Sequence, residues 1–96
     1  MTTDLKEELR DRIRVIVDQM LSGYDLESCT IEVRDDSDGN ESIFVDLRYR
    51  LSPHPYVSTI SMRLQSAVSA MLIENGEFRF PYIRHHFAKG QTVKAA

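Results

Sequence analysis

Two adjacent histidines, His85 and His86, sit in the stretch FPYIRHHF at residues 80–87, between aromatic residues and beside Arg84. Imidazoles so placed suggest a metal site, a strand that touches nucleic acid, or neither. On a strand, neighbouring side chains point to opposite faces, and on a helix they diverge by roughly 100°, so this pair does not share one ion readily. Zinc wants four ligands from cysteine, histidine or carboxylate. The chain offers Cys29, His54 and this pair at unsuitable spacing, and no metal or cofactor is implied.

The acidic run DDSDGNE at 35–41 places Asp36, Asp38 and Gly39 at three positions of a calcium-binding loop. The frame then puts Arg34 at its first ligand position and Val45 at its twelfth, where an aspartate and a bidentate glutamate are required. The run reads instead as a charged turn. Nucleophilic chemistry has no better footing. Cys29 falls on the apolar side of its segment, where cysteine acts as a small hydrophobe. The serines of STISMRLQSAVSA ride a helix, and no nucleophile elbow, phosphate loop or dinucleotide fingerprint occurs. The chain is expected not to be an enzyme, and no small-molecule substrate is evident.

The elements that must position these residues follow from periodicity. Leu5, Leu9, Ile13, Ile16, Val17, Met20 and Leu21 recur at helical spacing among charged residues, predicting an amphipathic helix over 5–22. Asp4 and Glu7 have capping-box spacing, Gly23 is the expected C-terminal cap, and Glu8–Arg12 and Arg14–Asp18 are set to pair along the solvent side. Alternating segments at 28–34 and 42–51 flank Asp38-Gly39, which predicts a β-hairpin. Cys29, Ile31, Val33, Ile43, Val45, Leu47, Tyr49 and Leu51 form its apolar face. Pro53 and Pro55 break the second strand, and Val57, Ile60, Leu64, Ala67, Val68, Met71 and Leu72 predict a helix over 57–74 that ends at Gly76. Pro81 and Gly90 would also suit a last helix, but two helices need more sheet to cover, so 78–86 is read as a third strand. That strand is expected to pack Phe78, Phe80 and Tyr82 on the helices, to bulge at Ile83, and to carry Arg84 and the histidines toward the rim.

The fold class expected is α+β: a two-layer α-β-β-α-β sandwich with two helices on one face of a small three-stranded mixed sheet. Its 96 residues fit a single domain, with a loose tail from about residue 90. Hydrophobic content of 42% and charged content of 28% are those of an ordinary soluble protein. The first twenty residues lack the pattern of a signal peptide, no apolar run is long enough to span a bilayer, and one cysteine suits a reducing compartment. A cytoplasmic location is expected, without membrane contact.

The charge is polarised. Residues 1–46 hold 5 basic and 13 acidic side chains, a net of −8, whereas residues 47–96 hold 7 and 2, a net of +5. The favoured reading is ion pairing between the halves; the other is a surface for an anionic partner. The face of the sheet away from the helices would carry Arg34, Phe44, Arg48, Arg50 and Arg79, with Arg84, His85 and Lys89 near the end of the last strand. Arginine forks suit phosphate and an exposed aromatic can stack a base, so single-stranded RNA is one partner this face fits. The α-β-β-α-β order is similar to the layout of type II KH-like domains and of ribosome-binding factor A proteins. That likeness is one of element order; the G-x-x-G of KH domains is absent, and it assigns no residue a role. The acidity of the chain, with eight carboxylates between Asp25 and Asp46, opposes a phosphate backbone. The reading placed first is a protein-interaction or assembly module whose partner is another protein or itself, homodimeric through the sheet face, with RNA binding or ribosome association as the alternative.

Overall fold

A computed structural model describes residues 4–50 and 57–87, apart from the side chains of residues 57 and 58. Pro53, His54, Pro55, Lys89, Gly90 and the expected tail lie outside the described residues. The order is α1 (Glu7–Met20), β1 (Leu26–Asp35), β2 (Glu41–Tyr49), α2 (Val57–Glu74) and β3 (Pro81–His86). The sheet runs β1-β2-β3, with β1 antiparallel and β3 parallel to β2. The chain is therefore a small α+β fold, two helices against a three-stranded mixed sheet.

The apolar periodicity of α1 becomes one buried stripe of Leu9, Ile13 and Val17, extended by Leu5 and Leu21. Both ends differ from the caps expected. Lys6 is the N-cap and makes no side-chain capping bond, while Asp4 accepts from the Leu5 N–H at 2.8 Å and from Arg10. The C-cap is Leu21, with no left-handed Gly23; the positive φ of this connection falls on Asp25, at 53°. Glu8 and Arg12 stand 3.9 Å apart as expected. Arg14 instead donates to the Cys29 carbonyl at 2.6 Å, because α1 lies along the outer edge of β1.

The hairpin closes around Asp36, whose Oδ1 accepts from the N–H groups of Asp38 and Asn40, each at 2.9 Å. Gly39 supplies the expected left-handed residue, with φ 83°. Helix α2 has the expected bounds. Gly76, at φ 80°, reverses the chain so that the Glu77 N–H bonds back to the Leu72 carbonyl at 2.9 Å. Ile43, Val45, Leu47 and Tyr49 of β2 point into the helix layer and form one core with Ile31, the α1 stripe, Leu64, Val68 and Leu72.

Strand β3 is a strand, as the sheet required, but it begins at Pro81 and its facing is the reverse of that expected. Pro81, Ile83 and His85 pair with Ile43, Val45 and Leu47, in unbroken register and without a bulge. These residues therefore face the helices, and Tyr82, Arg84 and His86 face away. Phe78 and Phe80 precede the strand and remain 77% and 53% exposed.

Candidate partner-binding face

The side of the sheet that the helices leave open is built by alternation. From β1 it takes Ser28, Thr30, Glu32 and Arg34; from β2, Ser42, Phe44, Asp46 and Arg48; from β3, Tyr82, Arg84 and His86. Its centre is Asp46, 8% exposed. Arg84 grips it with a planar fork, Nε to Oδ1 at 2.7 Å and an outer nitrogen to Oδ2 at 3.1 Å. His86 Nε2 lies 2.8 Å from Oδ1, and Arg34 stands 3.9 Å from Oδ2. Burial alone would raise the Asp46 carboxyl; the hydrogen bonds and charges of Arg84 and His86 outweigh it and hold it below the usual range.

Beside this cluster is an aromatic platform. Phe44 and Tyr82 stack with centroids 5.2 Å apart and planes 17° from parallel, and Phe80 meets Tyr82 edge-on at 4.7 Å. The guanidinium groups of Arg34 and Arg84 lie 4.4 and 5.0 Å from the centre of the Phe44 ring. The Tyr82 hydroxyl donates to Asp36 at 3.0 Å. Between the hairpin turn and the 76–80 rim a groove of about 720 Å³ opens, walled by Asp38, Phe78 and Phe80 among others.

Arg34, Phe44, Arg48 and Arg84 thus share the open face. Arg79 lies at its rim, held by Glu77 at 2.8 Å and Glu41 at 3.0 Å, and Arg50 lies past the end of β2, paired with Asp25 at 3.0 Å. His85 is on the other side of the sheet. Its Nδ1 is 2.8 Å from the Tyr49 hydroxyl and its Nε2 is 2.9 Å from Ser61 Oγ, so a neutral ring donates to one and accepts from the other. The two histidines therefore point to opposite faces. Burial, then the charge of His86, lowers the His85 pKa, and burial pushes the Tyr49 phenol up to about 12.

The serine–histidine contact superficially matches a nucleophile and its base. In a catalytic triad the third group is a carboxylate or carbonyl that stabilises the charged imidazole, whereas the third group here is the Tyr49 phenol. The arrangement suits a half-buried polar link between α2 and the sheet. Among the described residues, no group of three or more histidine, cysteine or carboxylate side chains is placed to hold a metal ion. No helix of the described residues is long and apolar enough to cross a membrane.

Asp46, Tyr82, His86 and Phe80 are members of the face that were not among the expected contact residues. Asp46 lies where the alternation of β2 puts it, whereas Phe80 and Tyr82 were expected on the helices. Compared with known proteins, the chain matches no family model, no curated protein and no solved structure.

Proposed function

We propose that this chain is a non-enzymatic protein-interaction or assembly module that contacts its partner through the open side of the sheet and its aromatic rim. The observation that carries this reading is the exposure of Phe78 and Phe80 beside cations that are already occupied. Arg84 and Arg79 are held by carboxylates, so a phosphate would compete with Asp46, Glu41 and Glu77 for them. Adjacent exposed aromatics with a polar surround suit a protein surface, where rigid rings bury large area at little entropic cost.

Light scattering behind a sizing column, over a range of concentrations, tests it. Self-association that Phe80→Glu weakens is the expected result. A mass unchanged by Phe80→Glu and by Phe44→Glu at every concentration would remove the open face as a self-contact.

A second reading, binding of single-stranded RNA, draws on Arg48. It is exposed on the same face as the stacked Phe44 and Tyr82 rings, beyond Asp46, and pairs with no carboxylate among the described residues. Anisotropy titration of a labelled random RNA separates the two readings. RNA binding predicts an affinity that falls steeply with salt and drops in Arg48→Glu; a flat titration at low salt rejects it.

A further inference from the structure

The two edges of the sheet are finished differently. On β1, the backbone groups of Cys29 and Ile31 point outward, and their carbonyls accept from Arg14 and Arg10 of α1. That edge is blunted by side chains of its own fold. On β3, the Ile43 N–H donates to the Phe80 carbonyl at 2.9 Å, which turns the backbone groups of Tyr82, Arg84 and His86 toward β2 and those of Pro81, Ile83 and His85 outward. Pro81 has no N–H, and its carbonyl accepts from Gln65 Nε2 at 2.8 Å. The outward N–H and C=O groups of Ile83 and His85 have no partner among the described residues.

Above this edge α2 carries an exposed apolar side chain. Ser61 reaches His85 and Gln65 reaches Pro81, so the turn between them overhangs Ile83. On that turn Met62 lies on the flank of α2 turned away from α1, and it is 74% exposed. A strand edge without a partner among the described residues and an exposed apolar side chain on the flank of the helix above it are two independent features on one side of the fold.

We propose that β3 is a self-pairing edge: a second copy of this chain adds antiparallel across Ile83 and His85, making a continuous six-stranded sheet with Met62 of each copy meeting over the seam. A twofold axis normal to the sheet generates this arrangement, because it keeps both helix layers on the same side and makes edge and overhang meet their own likes. A lone peptide strand would satisfy the backbone groups but leave Met62 uncovered. Charge permits the symmetry, since each Arg84 beside the seam is already neutralised by its own Asp46. This inference rests on the assembly reading but uses a different surface from the open face.

Sedimentation velocity of the full chain across a dilution series, with amide exchange at Ile83 and His85, tests it. The wild type is expected to reach beyond a dimer as concentration rises, through its two contacts. Met62→Glu, an exposed change that leaves the core intact, removes the edge contact and weakens that association at least tenfold; Phe80→Glu removes the open-face contact and stops at a dimer. The double variant is a monomer. In the associated state, the Ile83 and His85 amides slow and recover their exchange on dilution. An association unaffected by Met62→Glu overturns the edge proposal, and its loss in Phe80→Glu alone would leave the open-face reading standing. A monomer at all concentrations overturns the edge proposal. Slow exchange that is independent of concentration also overturns it, and identifies a strand of the same chain as the occupant.

Discussion

Asp46 and Arg84 stand opposite each other on neighbouring parallel strands and are joined by a two-pronged hydrogen bond. The pair links residues 38 positions apart and joins the acidic and basic parts of the chain. Arg79 with Glu41 and Arg50 with Asp25 do the same. Three of the seven basic side chains of residues 47–96 are thus paired with carboxylates of residues 1–46.

Replacing Asp46 with alanine leaves the Arg84 fork and His86 without their acceptor on a mostly covered site. Arg84 is nearly half exposed and recovers some hydration, so the expected loss is about 1–2 kcal/mol rather than the larger cost of a buried orphan. Asp46→Asn keeps one acceptor and should lose less. Chemical denaturation of the three proteins, at equal m-value, checks the order.

How far these relationships could be read from sequence depends on their range. Helix α2 was legible because Leu64, Val68 and Leu72 repeat within one element, and Gly76 and Asp38-Gly39 carry their own backbone preferences. The inward set of β3, by contrast, is Pro81, Ile83 and His85, an apolar pattern broken by a histidine. Its histidine is satisfied by Ser61 and Tyr49, 24 and 36 residues away, so local alternation favoured the aromatic set at 78, 80 and 82. The partners of Asp46 were hidden for the same reason: they come from other strands.

The His85 link predicts a pH dependence. Its folded pKa lies below the unfolded value of 6.5, so the unfolded chain binds more protons in the acid range. Stability from this group is present above the unfolded pKa and falls as pH drops below it, with a slope of at most about 1.4 kcal/mol per pH unit. Asp46 adds a loss at lower pH, as its depressed carboxyl becomes protonated. Thermal melts from pH 7.5 to 5 should show a falling midpoint, and His85→Phe should flatten the portion near neutrality. An unchanged slope in that variant would assign the effect elsewhere.

Gly76 closes α2 in the left-handed region, where a Cβ is strained even though nothing lies within 4 Å of its ideal position. Gly76→Ala is therefore expected to cost about 1 kcal/mol from backbone strain alone, with no steric contribution. Gly23→Ala, lacking a positive φ, is expected to be neutral or slightly stabilising. Paired denaturant titrations separate the two; equal effects would contradict the assignment of the cap to Gly76.

Arg10 and Arg14 stand four residues apart on α1, which places both on one side of the helix and in register with the two outward carbonyls of β1, two residues apart on their strand. Arg10 is the more enclosed, and it also binds Asp4. Removing both head groups while keeping the stems, as in Arg10→Met with Arg14→Met, preserves the packing against β1 and uncovers only the edge. The expected result is a modest destabilisation of about 1–2 kcal/mol for two lost charge-assisted bonds, together with new association through β1. That association would be insensitive to Met62→Glu, because it uses the opposite edge of the sheet. If the doubly substituted chain instead keeps the sedimentation profile of its parent, the arginines serve only to anchor α1, and the edge of β1 is protected by other means.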